Sequence, residues 1–84
     1  NKNESLSKLY LDRNKYLVPK DLTAQQFMYI IRKRIKLSCE QSLYLTIGNT
    51  IIMTSDSIGQ LYDQHKDEDG FLYVIYTAEN TFGN

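Results

Sequence analysis

Cysteine and proline each occur once in this 84-residue chain, at Cys39 and Pro19, and glycine four times. A single cysteine excludes an internal disulfide and fits a reducing compartment. As a nucleophile Cys39 has one possible histidine partner, His65, and no local signature links the two; a half-buried structural thiol is the simpler reading. No stretch approaches the roughly 20 apolar residues that span a bilayer. No leader with an apolar central stretch is present either, so membrane association has to be acquired. The chain opens on Asn1 rather than methionine, as expected of a processed, trimmed or partial chain. Internal repeats and low-complexity segments are absent.

The chain has 42% hydrophobic and 24% charged residues, a globular composition. Its length allows one domain, residues 1–84, that buries about 60% of the surface of its unfolded chain. Formal net charge is zero, yet its distribution is uneven. Residues 1–42 carry nine Lys or Arg against four Asp or Glu, whereas residues 43–84 carry one Lys against six acids. Such a split implies one electropositive face suited to acidic partners and a separate acidic one. The basic half has little of the aromatic interleaving that stacks bases, which argues against nucleic acid.

Residues 1–12 show no clean period and read as a loose lead-in. Lys15-Tyr16-Leu17-Val18-Pro19 is a β-favouring run closed by proline; a residue that cannot donate to a ladder points to an edge strand. Thr23-Ala24-Gln25-Gln26 fits a capping box. Behind it Phe27, Ile30, Ile31 and Ile35 keep helical spacing, which predicts a helix over 24–37. Arg32, Lys33, Arg34 and Lys36 crowd its last turns, complementing the helix dipole. Leu43–Ile47 reads as a strand, Gly48-Asn49 as a tight turn, and Thr50–Ile52 as its return. Ser55 or Asp56 can cap a short second helix carrying Ile58, Leu61 and Tyr62. Asp67-Glu68-Asp69-Gly70 is an acidic turn that lacks the spaced oxygen ligands of a calcium loop; no metal or cofactor is expected. Phe71–Thr77, apolar on both faces, reads as a central strand, and 78–84 as a mobile tail. This order gives an α+β class, a mixed sheet packed on one main helix.

The chain ends Thr81-Phe82-Gly83-Asn84. A glycine one residue inside a terminus lets the backbone enter a narrow enzyme cleft that excludes a Cβ; the plainer reading is a frayed end.

Read together, KYLVPKDLTAQQF, IRKRIKL, HKDEDGFLYVIY and ENTFGN resemble the autophagy-related ubiquitin-like modifier family, the group with the GABA-receptor-associated protein and the microtubule-associated light chains. The resemblance runs from Arg13 to Asn84. It implies a ubiquitin-like β-grasp and a protein that is itself no enzyme. A processing cysteine protease would cut between Gly83 and Asn84. Activating and conjugating enzymes would then pass the Gly83 carboxylate to phosphatidylethanolamine, moving the protein from cytoplasm to autophagosome membrane. It also implies cargo receptors that present aromatic-x-x-aliphatic motifs with acidic flanks, added to the edge strand. Leu17 and Phe71 would line the aromatic pocket, and Tyr16, Val18, Pro19, Leu22, Phe27 and Ile30 the aliphatic one. Arg13, Lys15 and Arg34 would meet the acidic flanks.

The chain departs from that pattern in lacking two N-terminal helices and, on this reading, the first strand. Either it is truncated or the protein lacks the segment. Loss of that strand would leave Phe71–Thr77 with an unpaired edge and predicts low thermal stability. Thr46 stands where the family carries an apolar or aromatic residue, which would soften the core or alter a second binding face. A reading from another class is a non-conjugated adaptor of the same fold, binding acidic peptides in trafficking or on the cytoskeleton.

Overall fold

Seven short runs with alternating or helical burial build the molecule around one apolar layer. The structure is a computed structural model and describes residues 5–80. In chain order the elements are β1 (Leu6–Leu11), β2 (Asn14–Pro19), α1 (Ala24–Arg34), β3 (Gln41–Ile47), β4 (Thr50–Ile51), α2 (Ile58–His65) and β5 (Leu72–Asn80). The strands form a mixed sheet in the order β2-β1-β5-β3-β4.

The segment expected to be a loose lead-in is instead β1, and the first strand expected to be missing is present. It lies inside the sheet, antiparallel to β2 from Leu6↔Pro19 to Leu11↔Asn14 and parallel to β5 at Leu9↔Leu72, Tyr10↔Tyr73 and Leu11↔Val74. Ser7, Leu9 and Leu11 face the core, and all three are fully buried. Leu6, Lys8 and Tyr10 take the other face, so the strand is apolar on both sides and shows no simple alternation. A two-residue turn joins it to β2, with Asp12 and Arg13 both at positive φ (53° and 66°). That is the type I′ geometry Asn-Gly normally signals, here made by two residues that give no such cue. With β1 in place, the first residues of β5 are central, and the ground for expecting low stability is removed.

The capping box of α1 is as expected: the Thr23 hydroxyl accepts from Gln26 N, and Gln26 Oε1 accepts from Thr23 N at 2.9 Å. The helix stops at Arg34, three residues earlier than its apolar spacing predicts. Lys36 turns left-handed (φ 56°), and Leu37 N–H reaches back to the Arg32 carbonyl at 3.1 Å, a Schellman-type ending. Ser57, not Ser55 or Asp56, caps α2; the Asp56 carboxylate accepts from Met53 N instead. The two helix starts lock together through Ala24 N to Asp56 O and Ile58 N to Leu22 O. Gly59 is required at this junction, since a Cβ there would lie 2.8 Å from the Lys20 carbonyl oxygen.

Both helices cover the same face of the sheet. Phe27 and Ile31 of α1 and Ile58, Leu61 and Tyr62 of α2 pack with Leu9, Leu11, Val18, Leu43, Leu45, Leu72 and Val74 in one core. The opposite face exposes Leu17, Tyr44, Tyr73 and Ile75. Thr46 belongs to that outer side, paired with Ile75 and Ile51, so it does not soften the core. Residues 78–80, expected in a mobile tail, continue β5 alongside Gln41–Leu43; the remainder of that tail lies outside the described residues.

The acidic turn uses its carboxylates on its own backbone. Asp67 accepts from Glu68 N and Asp69 from Phe71 N, while Gly70 supplies a φ of 85°. Tyr73 OH also donates to Asp69, in a short hydrogen bond. That phenol, then the Phe71 N–H, holds the Asp69 carboxyl below its ordinary value, and the same bond holds the Tyr73 phenol above its own.

Two predictions follow from these side chains. The Ser7 hydroxyl is buried and makes no hydrogen bond among the described residues, so Ser7→Ala should raise stability by about 1 kcal/mol in urea unfolding, by removing an unsatisfied buried polar group. A lower midpoint would contradict this. The Asp69 contribution is fully present above the ordinary carboxylate pKa and is lost as pH falls through its depressed one; the Tyr73 contribution is lost as pH rises through its raised one. Tyr73→Phe should therefore move the Asp69 titration upward, toward the ordinary carboxylate range, read by carboxyl NMR. An unmoved titration would show that the phenol is not the cause.

Candidate functional site

β2 borders solvent along one side, because β1 occupies the other. Its residues divide by the pleat. Tyr16 and Val18 turn inward, while Lys15, Leu17 and Pro19 turn outward and are exposed. Leu17 is 67% exposed although it is a large aliphatic residue. It stands opposite Lys8 in the β1–β2 register. A cavity of about 450 Å³ lies beside it, lined by Leu6, Lys8, Leu17 and Tyr62.

The cavity has aromatic and cationic surroundings. The Tyr62 hydroxyl donates to the Gly70 carbonyl at 2.6 Å, which ties α2 to the residue before Phe71. Phe71 is half-buried, and the Lys8 and Lys15 ammonium groups each lie 5.5 Å from its ring centroid. Lys20 and Lys66 stand over the Tyr62 ring at 5.5 and 5.3 Å. Lys20 also pairs with Asp63 at 3.3 Å across partly exposed surface, an interaction worth little by itself.

The residues expected to form an aliphatic pocket are split by burial. Val18 and Phe27 are core residues and underlie the surface. Tyr16 is half-buried with its ring edge-on to Phe27 at 5.9 Å, and the Arg34 guanidinium covers it at 5.4 Å. Leu22 is half-buried, and Pro19 and Ile30 are exposed. Ile30, 41% exposed, shares a shallow groove of about 380 Å³ with Tyr29, Lys33 and Arg34. Arg13 sits in the turn between β1 and β2, at the end of the strand edge opposite Pro19. Gly83 and Asn84 lie outside the described residues.

Three lining residues were not anticipated: Leu6, Lys8 and Tyr62. The first two sit in the segment read as irregular, and Tyr62 was assigned only to a helix face. With Leu6 and Tyr10 outward and Ser7 inward, neither face of the strand gives a clean period-2 signal. Cys39 is exposed in the α1–β3 connection and His65 ends α2; among the described residues no hydrogen bond joins them. An unpaired strand edge offers N–H and C=O groups to an added strand, and the adjoining cavity can take one large apolar side chain.

Comparison with known proteins agrees with this architecture. The family model described as autophagy protein Atg8, ubiquitin-like, matches residues 1–83. Autophagy-related protein 8c of Arabidopsis thaliana is 53% identical over 73 residues, which is 87% of this chain and 61% of that protein. Autophagy-related protein 8 of Coccidioides immitis is 51% identical over 74 residues, 88% of this chain and 63% of that protein. The chain thus spans about three fifths of the length of these relatives. The crystal structure of Trypanosoma brucei ATG8 superposes with a TM-score of 0.86 at 35% identity, covering 98% of this chain and 80% of that one. With a family match over nearly its whole length and a ubiquitin-like neighbour of the same topology, the chain belongs to the Atg8 family of ubiquitin-like autophagy proteins.

Proposed function

We propose that this chain is a conjugated modifier that carries a peptide-docking edge to a membrane. The Gly83–Asn84 amide is hydrolysed by a processing cysteine protease, leaving Gly83 as the terminal carboxylate. An activating enzyme joins that carboxylate to a nucleoside monophosphate at the expense of a nucleoside triphosphate, releasing pyrophosphate. An enzyme thiol displaces the monophosphate to give a thioester, which passes to the conjugating enzyme. Transfer to the amine of phosphatidylethanolamine forms an amide and releases the enzyme thiol. The protein is the substrate of these steps and not their catalyst. Among the described residues no helix is long and apolar enough to cross a membrane. Two acyl chains gained in one amide bond suffice for stable anchoring, where a single chain is marginal. Autophagosomal membrane is the destination this reading assigns, with the unconjugated form in the cytoplasm.

The observation that carries the second half is Leu17, exposed on an open edge beside a cavity of about 450 Å³. A cargo-receptor segment of the form aromatic-x-x-aliphatic adds to β2 as a further strand. Its aromatic side chain enters the cavity lined by Leu6, Lys8, Leu17 and Tyr62, with the Phe71 ring under Lys8 and outside that lining. Its aliphatic one rests over Tyr16, Pro19, Leu22 and Ile30, with Val18 and Phe27 beneath. Acidic flanks meet Arg13, Lys15 and Arg34, which concentrates charge complementarity at the edge and favours fast, salt-sensitive association.

Intact-mass spectrometry of the protein from starved cells tests this reading. The expected species lacks Asn84 and carries phosphatidylethanolamine, and Gly83→Ala abolishes it. Leu17→Asp should keep the lipid yet bind an acidic-flanked aromatic-x-x-aliphatic peptide at least about tenfold more weakly. Recovery of an intact Asn84 without lipid would favour the non-conjugated adaptor, and unchanged peptide affinity in Leu17→Asp would remove β2 as the docking edge.

A further inference from the structure

The C-terminal end of α1 presents cations in excess of what a helix terminus needs. Arg32, Lys33, Arg34 and Lys36 fall within five residues, whereas the helix dipole offers only about half a negative charge to complement. Arg34 is turned toward Tyr16 of the β2 edge. The other three line a groove of about 280 Å³ together with Tyr29, Leu37 and Cys39. Among the described residues that line it, none is a carboxylate. Tyr29 is 61% exposed, and the Lys33 ammonium lies 4.7 Å over its ring. Lys36 holds a left-handed backbone, where glycine is usual at a helix ending. The chain therefore keeps an ammonium-bearing side chain at a position whose backbone disfavours it.

The sheet register places this groove beside the departure of the tail. Gln41 pairs with Asn80, the last residue of β5. Gln41 is tied to the groove through Ser38, whose N–H donates to Gln41 Oε1 at 3.3 Å and whose carbonyl accepts from Arg32 Nη2 at 3.0 Å. Gly83 lies three positions beyond Asn80, a reach of at most ~10 Å. A bilayer held at Gly83 therefore comes within about one Debye length of this end of the molecule. The acids nearby are Glu40 in the α1–β3 connection and Glu79 on β5, fewer than the four cations.

We propose that Arg32, Lys33 and Lys36, with the exposed Tyr29 ring, form a second membrane contact that engages anionic phospholipid headgroups once the tail is anchored. The inference rests on Gly83 being the anchored residue. It assigns the groove an orienting role: the basic end of α1 faces the bilayer, and the β2 edge stays open to acidic peptides. Basic residues close to an anionic leaflet each strengthen attachment by about fivefold, and a phenol ring suits the polar–apolar boundary of such a surface.

Chemical tethering tests this without the conjugating enzymes. The Cys39→Ser, Gly83→Cys chain is coupled through its introduced thiol to maleimide-bearing phosphatidylethanolamine. The vesicles are phosphatidylcholine, with or without roughly 30 mol % phosphatidylserine as the anionic lipid. Amide exchange over residues 29–39 should slow on the anionic vesicles only. Adding Lys33→Gln and Lys36→Gln should lower the docking equilibrium read from the protection factors by about fivefold for each cation removed. About 0.5 M salt should abolish the protection by shortening the screening length. Equal exchange on neutral and anionic vesicles overturns the proposal even if Gly83 lipidation is found in cells. Protection on anionic vesicles, with no lipidated species in cells, keeps the contact and removes the anchoring reading instead. Protection produced by a single-stranded RNA and not by the anionic vesicles overturns it in favour of a nucleic-acid surface.

Discussion

The parallel pairing of β1 with β5 is the interaction on which the rest of this molecule depends. Three residue pairs, Leu9↔Leu72, Tyr10↔Tyr73 and Leu11↔Val74, join the hairpin β1–β2 to the sheet half formed by β5, β3 and β4. Leu9, Leu11, Leu72 and Val74 present buried side chains to the helices at this seam. On the outer face Tyr10 and Tyr73 lie with ring centroids 5.3 Å apart. Without the seam β2 would have no sheet to be the edge of, and Lys8 would not stand over Phe71. Because parallel strands cannot be joined by a short turn, β2, α1, β3, β4 and α2 all lie in the chain between the two strands of the seam. Its contacts are among the most distant in the chain.

That non-local origin explains what was legible in the sequence. Elements defined by neighbours could be read: the Thr23–Gln26 capping box, the Gly48-Asn49 turn and the acidic turn at Asp67–Gly70 all rest on residues a few positions apart. β1 could not. Its inward residues include Ser7, which breaks the apolar pattern, and its outward ones include Leu6 and Tyr10, which blur the alternation. The turn that follows is made by Asp12 and Arg13 rather than by glycine or asparagine. The apolar spacing overruns the helix end because Ile35, already its C-cap, keeps the period, while the left-handed turn falls on Lys36, a residue that gives no such cue. The family resemblance named the edge strand and most residues around it, but not Leu6 or Lys8, which belong to the strand the reading had removed.

The uneven charge, read first as a bulk count, resolves into two locations. Lys8, Lys15, Lys20 and Lys66 surround Phe71 and Tyr62 beside the cavity, and their stems cover aromatic faces while their ammonium groups stay wet. Arg32, Lys33 and Lys36 gather near the departure of the tail. Much of the acidic balance is spent locally: Asp67 and Asp69 organise the turn before β5, and Asp63 meets Lys20. A molecule whose net charge is zero thus offers basic surface both along the edge proposed to meet acidic peptides and at the end proposed to meet a membrane.

Amide hydrogen exchange on the 84-residue chain tests the central placement of β1 most directly. Backbone amides of β1 and of Leu72–Val74 should rank among the slowest to exchange, opening only with global unfolding, as expected for strands paired on both sides. Exchange of residues 6–11 at the rate of an unstructured peptide, with β3 and β5 still protected, would contradict it. The sheet would then lack its seam, and the edge at β2 would have to be abandoned.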